Sequence, residues 1–260
     1  MVAVVRALWW REVVKFTRDR ARLIGALVQP LAFWVLMGLG FYGTFQMPAG
    51  AGPAEVGYME YLYPGIIALI LLFTAIFSTI AIVEDRQAGF LQSALVAPQP
   101  RVAIVLGNVL GGTTIAMAQM VLFLLLAPTV GITPGLVGLG IVLLGGGLTA
   151  IAFVALGFLI AWRLDTTRGF HAVMNLLLLP MWFLSGAFFP AASVPELVRP
   201  VMYLNPAYYG VAAIREGLYW PAPAPGTALP VGVALGVAAL FAAVLVGLAV
   251  LAVKKPVYGD

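Results

Sequence analysis

Two short groups that join carboxylates to cations flank apolar runs in this sequence: Glu84-Asp85-Arg86 and Arg215-Glu216. A carboxylate beside a cation suits acid–base work, an ion path, or an electrostatic contact between mobile parts. Catalysis needs further groups in reach, and the sequence offers few. The single histidine, His171, stands alone at the edge of an apolar run, the setting of a hydrogen-bonded structural residue rather than a proton carrier. No HExxH, GxSxG or GxxxxGK[ST] pattern occurs. The Gly145-Gly146-Gly147 run lies inside an apolar stretch, where small residues allow close helix packing, and is not a phosphate loop. With no cysteine, disulfides, thiolate metal sites and a Cys nucleophile are excluded.

The elements that must position these groups are membrane helices. Of 260 residues, 63% are hydrophobic and 9% charged, too apolar for a water-soluble fold of this length to bury. Six apolar segments are long enough to cross a bilayer: 23–45, 61–83, 102–127, 136–161, 170–189 and 229–253. None contains Asp, Glu, Lys or Arg. The first follows a basic helix and is read as a retained span, not a cleaved signal. The +4 net charge does not indicate nucleic acid, because the cations gather in the breaks on one side of the spans. Arg6, Arg11, Lys15, Arg18, Arg20, Arg22, Arg86, Arg101, Arg163, Arg168, Lys254 and Lys255 fall on that side, against Arg199 and Arg215 on the other. The asymmetry predicts both termini in the cytoplasm. Aromatic residues such as Trp9, Trp10, Tyr58, Tyr61, Trp162, Tyr219 and Trp220 stand near the span ends, as an interfacial belt would.

Residues 1–22 read as an amphipathic interfacial helix. At 100° per residue Val2, Val5, Trp9, Val13 and Phe16 share one face, and Arg11, Lys15, Arg18 and Arg22 the other. Such a helix is expected in the interface plane with its cations toward water or anionic lipid. It serves as a topology anchor, a dock for a cytoplasmic partner, or both. In the break 84–101, Phe90, Leu91, Ala94 and Leu95 form one face of a short helix that Pro98 and Pro100 stop. Gly89 would allow the sharp turn before it. The segment reads as a lever between two spans or as a helix lying on the membrane. The break 191–228 is long and apolar. Asn205 and Pro206 resemble an N-cap and first helical position, and two short helices dipping into the outer leaflet fit its composition. Pro30 and Pro180 are sites where spans one and five would bend. The spans hold polar but no ion-coupling side chains, and no internal repeat is evident.

Three stretches carry a resemblance. Val83-Glu84-Asp85-Arg86-Gln87-Ala88-Gly89-Phe90-Leu91-Gln92, with Leu95-Val96-Ala97-Pro98 and Arg101, resembles the acidic-Arg-x-x-Gly-x-Leu segment of ABC type-2 exporter permeases. Phe90 stands where many members have Thr or a small residue. Leu184-Ser185-Gly186-Ala187-Phe188-Phe189-Pro190, with Pro195, resembles the end of their fifth span, and Asn205-Pro206-Ala207-Tyr208-Tyr209, with Ala213-Ile214-Arg215, their external re-entrant segment. The resemblance covers the chain and implies one all-α transmembrane domain over 1–260 in a bacterial inner membrane. It implies a non-enzymatic subunit that binds no cofactor itself, paired with a second permease copy and two cytoplasmic ATPase subunits that hold ATP and Mg. Glu84, Asp85, Arg86, Gly89, Phe90, Leu91, Leu95 and Pro98 would then form the coupling segment. Spans one, two and five would line the substrate path. Phe33, Trp34, Met37, Phe73, Phe77, Met174, Trp182 and Phe183 would favour an amphipathic or lipid-like cargo, such as a drug or glycolipid. A competing reading is a membrane enzyme acting on lipid-linked substrates, for which Arg215-Glu216 is the available external pair. A passive channel would need polar pore faces that the spans do not offer.

Overall fold

The computed structural model describes residues 1–41, 43, 56–90, 100–226 and 229–254. It is helical, with no strand among the described residues. The helices are α1 (Val2–Arg18), α2 (Arg20–Gly40), α3 (Tyr58–Gln87), α4 (Val102–Leu124), α5 (Leu136–Arg163), α6 (Thr167–Trp182), α7 (Arg199–Tyr203), α8 (Pro206–Tyr219) and α9 (Val231–Lys254). A π-helical turn, Phe183–Ala187, follows α6. Six helices are long and apolar enough to cross a membrane: α2, α3, α4, α5, α6 with its π turn, and α9. The chain is a multi-pass membrane protein.

The central helix is α3, packed against α2, α4, α5 and α6 and buried along nearly all of its apolar length. Small residues let its neighbours approach. A Cβ on Gly65 would lie 2.4 Å from Ala187 Cβ, and one on Gly157 2.6 Å from Thr79 Oγ1. The same device seats α8 against α5: added Cβ atoms at Gly138 and Gly145 would meet Gly217 O at 2.3 Å and Ala213 Cβ at 2.9 Å. In a membrane such close approach supplies the van der Waals contact that a hydrophobic drive cannot. The Gly145–Gly147 run is thus a packing surface.

Several boundaries differ from the sequence reading. Span two continues four residues further, so that Glu84, Asp85 and Arg86 form the last turn of α3 and not a loop. Partners for all three charges make that extension tolerable. In span five, regular helix ends at Trp182, two residues after Pro180, because Leu184 and Gly186 leave helical geometry, Gly186 with φ +80°. The helix continues through Pro30 in α2. Asn205 caps α8 by accepting from the Ala207 N–H at 3.0 Å, with Pro206 at the first helical position.

α1 ends at Arg18; Arg20 and Arg22 belong to α2. It packs against α4. Leu8 sits over Gly107, Glu12 over Gly111, and Phe16 packs with Ile115. This register advances four residues for four, so α1 runs lengthwise beside α4 in the same direction. The stripe facing α4 is Leu8-Glu12-Phe16, with Glu12 and Phe16 buried, while Val2 is exposed. The reason is local. The two glycines of α4 form a groove that admits short approaches, and that groove, not a uniform apolar slab, sets the rotation of α1.

Candidate functional site

The charges converge where α3 ends. Ala88 closes the helix with its N–H on Glu84 O, and Gly89 turns the chain at φ +75° with its N–H on Arg86 O at 3.1 Å. That left-handed conformation suits glycine and redirects the backbone sharply.

On one side, cations of α1 and α2 hold the two carboxylates. Arg11 donates to Asp85 Oδ1 at 2.6 Å, and Lys15 reaches Asp85 at 3.1 Å and Glu84 at 3.3 Å. Arg22 bonds Glu84 and also pairs with Asp19 at 2.8 Å. The expectation that Arg11, Lys15 and Arg22 face water or lipid is therefore corrected: they face α3, because two unneutralised carboxylates stand there. Arg18 is exposed. These pairs are partly buried, so solvent screens them less than surface pairs.

On the other side, Arg86 reaches the end of α5. It donates to Leu164 O at 2.7 Å, to Trp162 O, and to Asp165 Oδ1 at 3.1 Å, with its guanidinium 5.8 Å from the Trp162 ring centre. Gln87 donates to Asp165 O at 2.8 Å. A cation on the final carbonyls of a helix satisfies acceptors that have no intrahelical donor. Four consecutive residues, Glu84 to Gln87, thus tie α3 to three other helices.

Phe90 follows the turn with its ring 4.0 Å beneath the Arg11 guanidinium and one face open, 41% exposed. Leu91, Leu95 and Pro98, expected to complete the short helix, lie outside the described residues.

Glu12 is a charged residue that the sequence reading passed over. It is 7% exposed and accepts from Arg11 at 2.9 Å. Burial pushes its carboxyl up to about 7; Arg11 pulls the other way and Asp85 pushes it further up. Gly107-x-x-x-Gly111 was the sequence signal for this docked surface.

Elsewhere the expected site residues are scattered through the packing. Trp34, Phe73, Met174 and Trp182 are buried in the core of the single chain. Trp34 donates to Met59 O at 3.0 Å and Trp182 to Gly65 O at 2.7 Å. Phe33 packs edge-on against Trp182, Met37 and Phe77 are partly buried, and Phe183 is exposed. Reaching a substrate from the buried four requires the helices to part.

At the opposite end of the bundle, Arg215 turns inward and away from Glu216. It is 2% exposed, donates to Gly186 O at 3.0 Å and Tyr61 O at 3.3 Å, and stacks 4.3 Å from the Tyr61 ring centre. The Arg215-Glu216 pair is thus no external acid–base site. The guanidinium instead fastens α8 to α3 and to the π turn.

Comparison with known proteins gives one family: the model described as "ABC-2 type transporter" matches residues 3–219. The chain is 28% identical to the ycf38 protein of Cyanophora paradoxa over 207 residues, 79% of this chain and 70% of that one. It is 27% identical over 219 residues to nodulation protein J of Sinorhizobium fredii, covering 82% and 80%. It is 25% identical over 219 residues to the inner membrane transport permease YadH of Escherichia coli, covering 82% of each.

Proposed function

The chain belongs to the ABC-2 type transporter family, and from that premise we propose that it is the transmembrane subunit of an ATP-driven exporter. It is a transport permease subunit, and the further assignment concerns its energy source, partners and cargo. In this reading the whole chain is one transmembrane domain, placed in a bacterial inner membrane with both termini in the cytoplasm. Two permease copies work with two cytoplasmic ATPase subunits that bind ATP and Mg. The cargo is amphipathic or lipid-like and leaves the cytoplasm or inner leaflet along spans one, two and five. The segment 191–228 re-enters the outer leaflet through α7 and α8.

The observation that carries the reading is the junction at the end of α3. A lever needs an exposed contact, a sharp turn and stiff ties to the parts it moves. Phe90 offers the contact, Gly89 the turn, and Glu84, Asp85 and Arg86 the ties to α1, α2 and α5. Force applied at Phe90 therefore reaches three helices besides α3.

The test is capture of the partner ATPase by a Phe90→Glu, Leu91→Glu variant. Burying each side chain in an ATPase groove is worth roughly 1.5–3 kcal/mol, so binding should weaken by about tenfold or more per residue. Normal membrane insertion with undiminished ATPase binding would sink the lever.

A further inference from the structure

We propose that the chain carries a binding site for an anionic phospholipid, in a groove between the last turns of α5 and α9 and the start of α6. This inference rests on the membrane fold and is independent of the exporter reading. The groove holds about 820 Å³, within the range of roughly 300–1,000 Å³ typical of small-molecule sites. Its walls are aliphatic, led by Leu159, Ile160, Val173, Leu248 and Leu251, with Arg163 and Lys254 as the polar residues of the lining. Leu248, Leu251 and Val173 are exposed, so the groove opens on the surroundings of the bundle.

The chemistry of the lining selects the occupant. Aliphatic walls without a hydrogen-bonding side chain suit acyl chains. Both cations stand at helix ends, Arg163 closing α5 and Lys254 closing α9, at the level where a headgroup phosphate would lie. Among the described residues neither cation has a carboxylate partner. Arg101 adds a third positive charge behind them, donating to Val253 O at 3.4 Å. The C-termini of α5 and α9 offset roughly half a charge each, and the N-terminus of α6 restores about as much as one of them removes. The rim remains positive. A basic pocket between spans at this level is the arrangement that holds an anionic headgroup, at about 1 kcal/mol per cation, so two cations give roughly a 30-fold preference over a zwitterionic lipid.

The full chain is reconstituted in nanodiscs of equal phosphatidylglycerol and phosphatidylcholine, with one of the two carrying a photoactivatable acyl chain. Labelled residues are mapped by mass spectrometry. Phosphatidylglycerol should label 159–164 and 248–254 about 30-fold more than phosphatidylcholine. Arg163→Gln with Lys254→Gln should bring the two lipids level, while Arg163→Lys with Lys254→Arg keeps the preference. Arg6→Gln with Arg20→Gln, which removes the same charge from exposed positions, should leave it intact. Leu251→Trp should cut labelling by filling the groove. Equal labelling of the wild type by both lipids would overturn the site, as would a preference that survives the double Gln variant. A spontaneous disulfide between two Leu251→Cys chains would also overturn it, by giving the groove to a second copy.

Discussion

Replacing Arg86 by Met separates the two kinds of contact that this residue makes. The Met stem keeps much of the packing and removes the guanidinium. Bonds from a charged donor are worth about 1.5–3 kcal/mol each, and Arg86 gives one to Trp162 O and one to Leu164 O. Among the described residues its Nε has no partner, which keeps the sum of the two bonds in the lower part of their range, about 3–5 kcal/mol. The third contact counts for little. Asp165 is 84% exposed, and such pairs are worth about 0–1 kcal/mol. Arg86→Met should thus lower the thermal midpoint in detergent by roughly 6–20 °C, at about 2–4 °C per kcal/mol. Asp165→Asn should shift it by less than about 4 °C on the same scale. Arg86→Lys should fall between, since an ammonium cannot bridge two carbonyls as a planar fork does. Tryptophan fluorescence during heating measures all three. Equal losses for Arg86→Met and Asp165→Asn would show that the ion pair, not the carbonyl caps, joins α3 to α5.

Gly107→Leu should dislodge α1 from α4, because a Cβ there would already lie 2.5 Å from Leu8 Cβ; overpacking of this kind costs about 1–3 kcal/mol, and proteolysis of the N-terminal segment should accelerate. Glu12 predicts a pH effect. Its carboxyl is raised to about 7 in the folded chain, so its contribution is fully present below the unfolded value of 4.5 and is lost as pH rises through about 7. That loss is on the order of 3 kcal/mol, and Glu12→Gln should flatten the midpoint between pH 5 and 8; an unchanged slope would refute the assignment. Arg215→Met should loosen α8 from Tyr61 and Gly186 and expose its amides to faster hydrogen exchange, whereas Glu216→Gln should leave exchange unchanged.

The spans were readable because lipid demands long uncharged runs, and six such runs became six helices. Their ends were less readable. Glu84 to Gln87 resemble a loop until Arg11, Lys15 and Arg22 are brought beside them from 62 or more residues away. The same separation hid the purpose of the N-terminal cations. A helical wheel finds an amphipathic face but not its partner, so α1 was expected against lipid, whereas Gly107 and Gly111 turn Leu8 and Glu12 inward. Gly89 was readable, since a helix stop followed by a turn calls for left-handed backbone, and φ +75° is found there. The inward turn of Arg215 was not readable, because sequence proximity to Glu216 says nothing about direction. On α8 the two side chains diverge, and the carbonyls of Tyr61 and Gly186 attract the guanidinium.

Phe90 is the point at which a cytoplasmic ATPase would touch the chain. A photoreactive benzoylphenylalanine at that position, illuminated in native membranes, should form a covalent adduct with an ATP-binding-cassette ATPase subunit, and the adduct should diminish when Leu91→Glu is added. Adducts with lipid alone, in membranes where that ATPase is present, would contradict it.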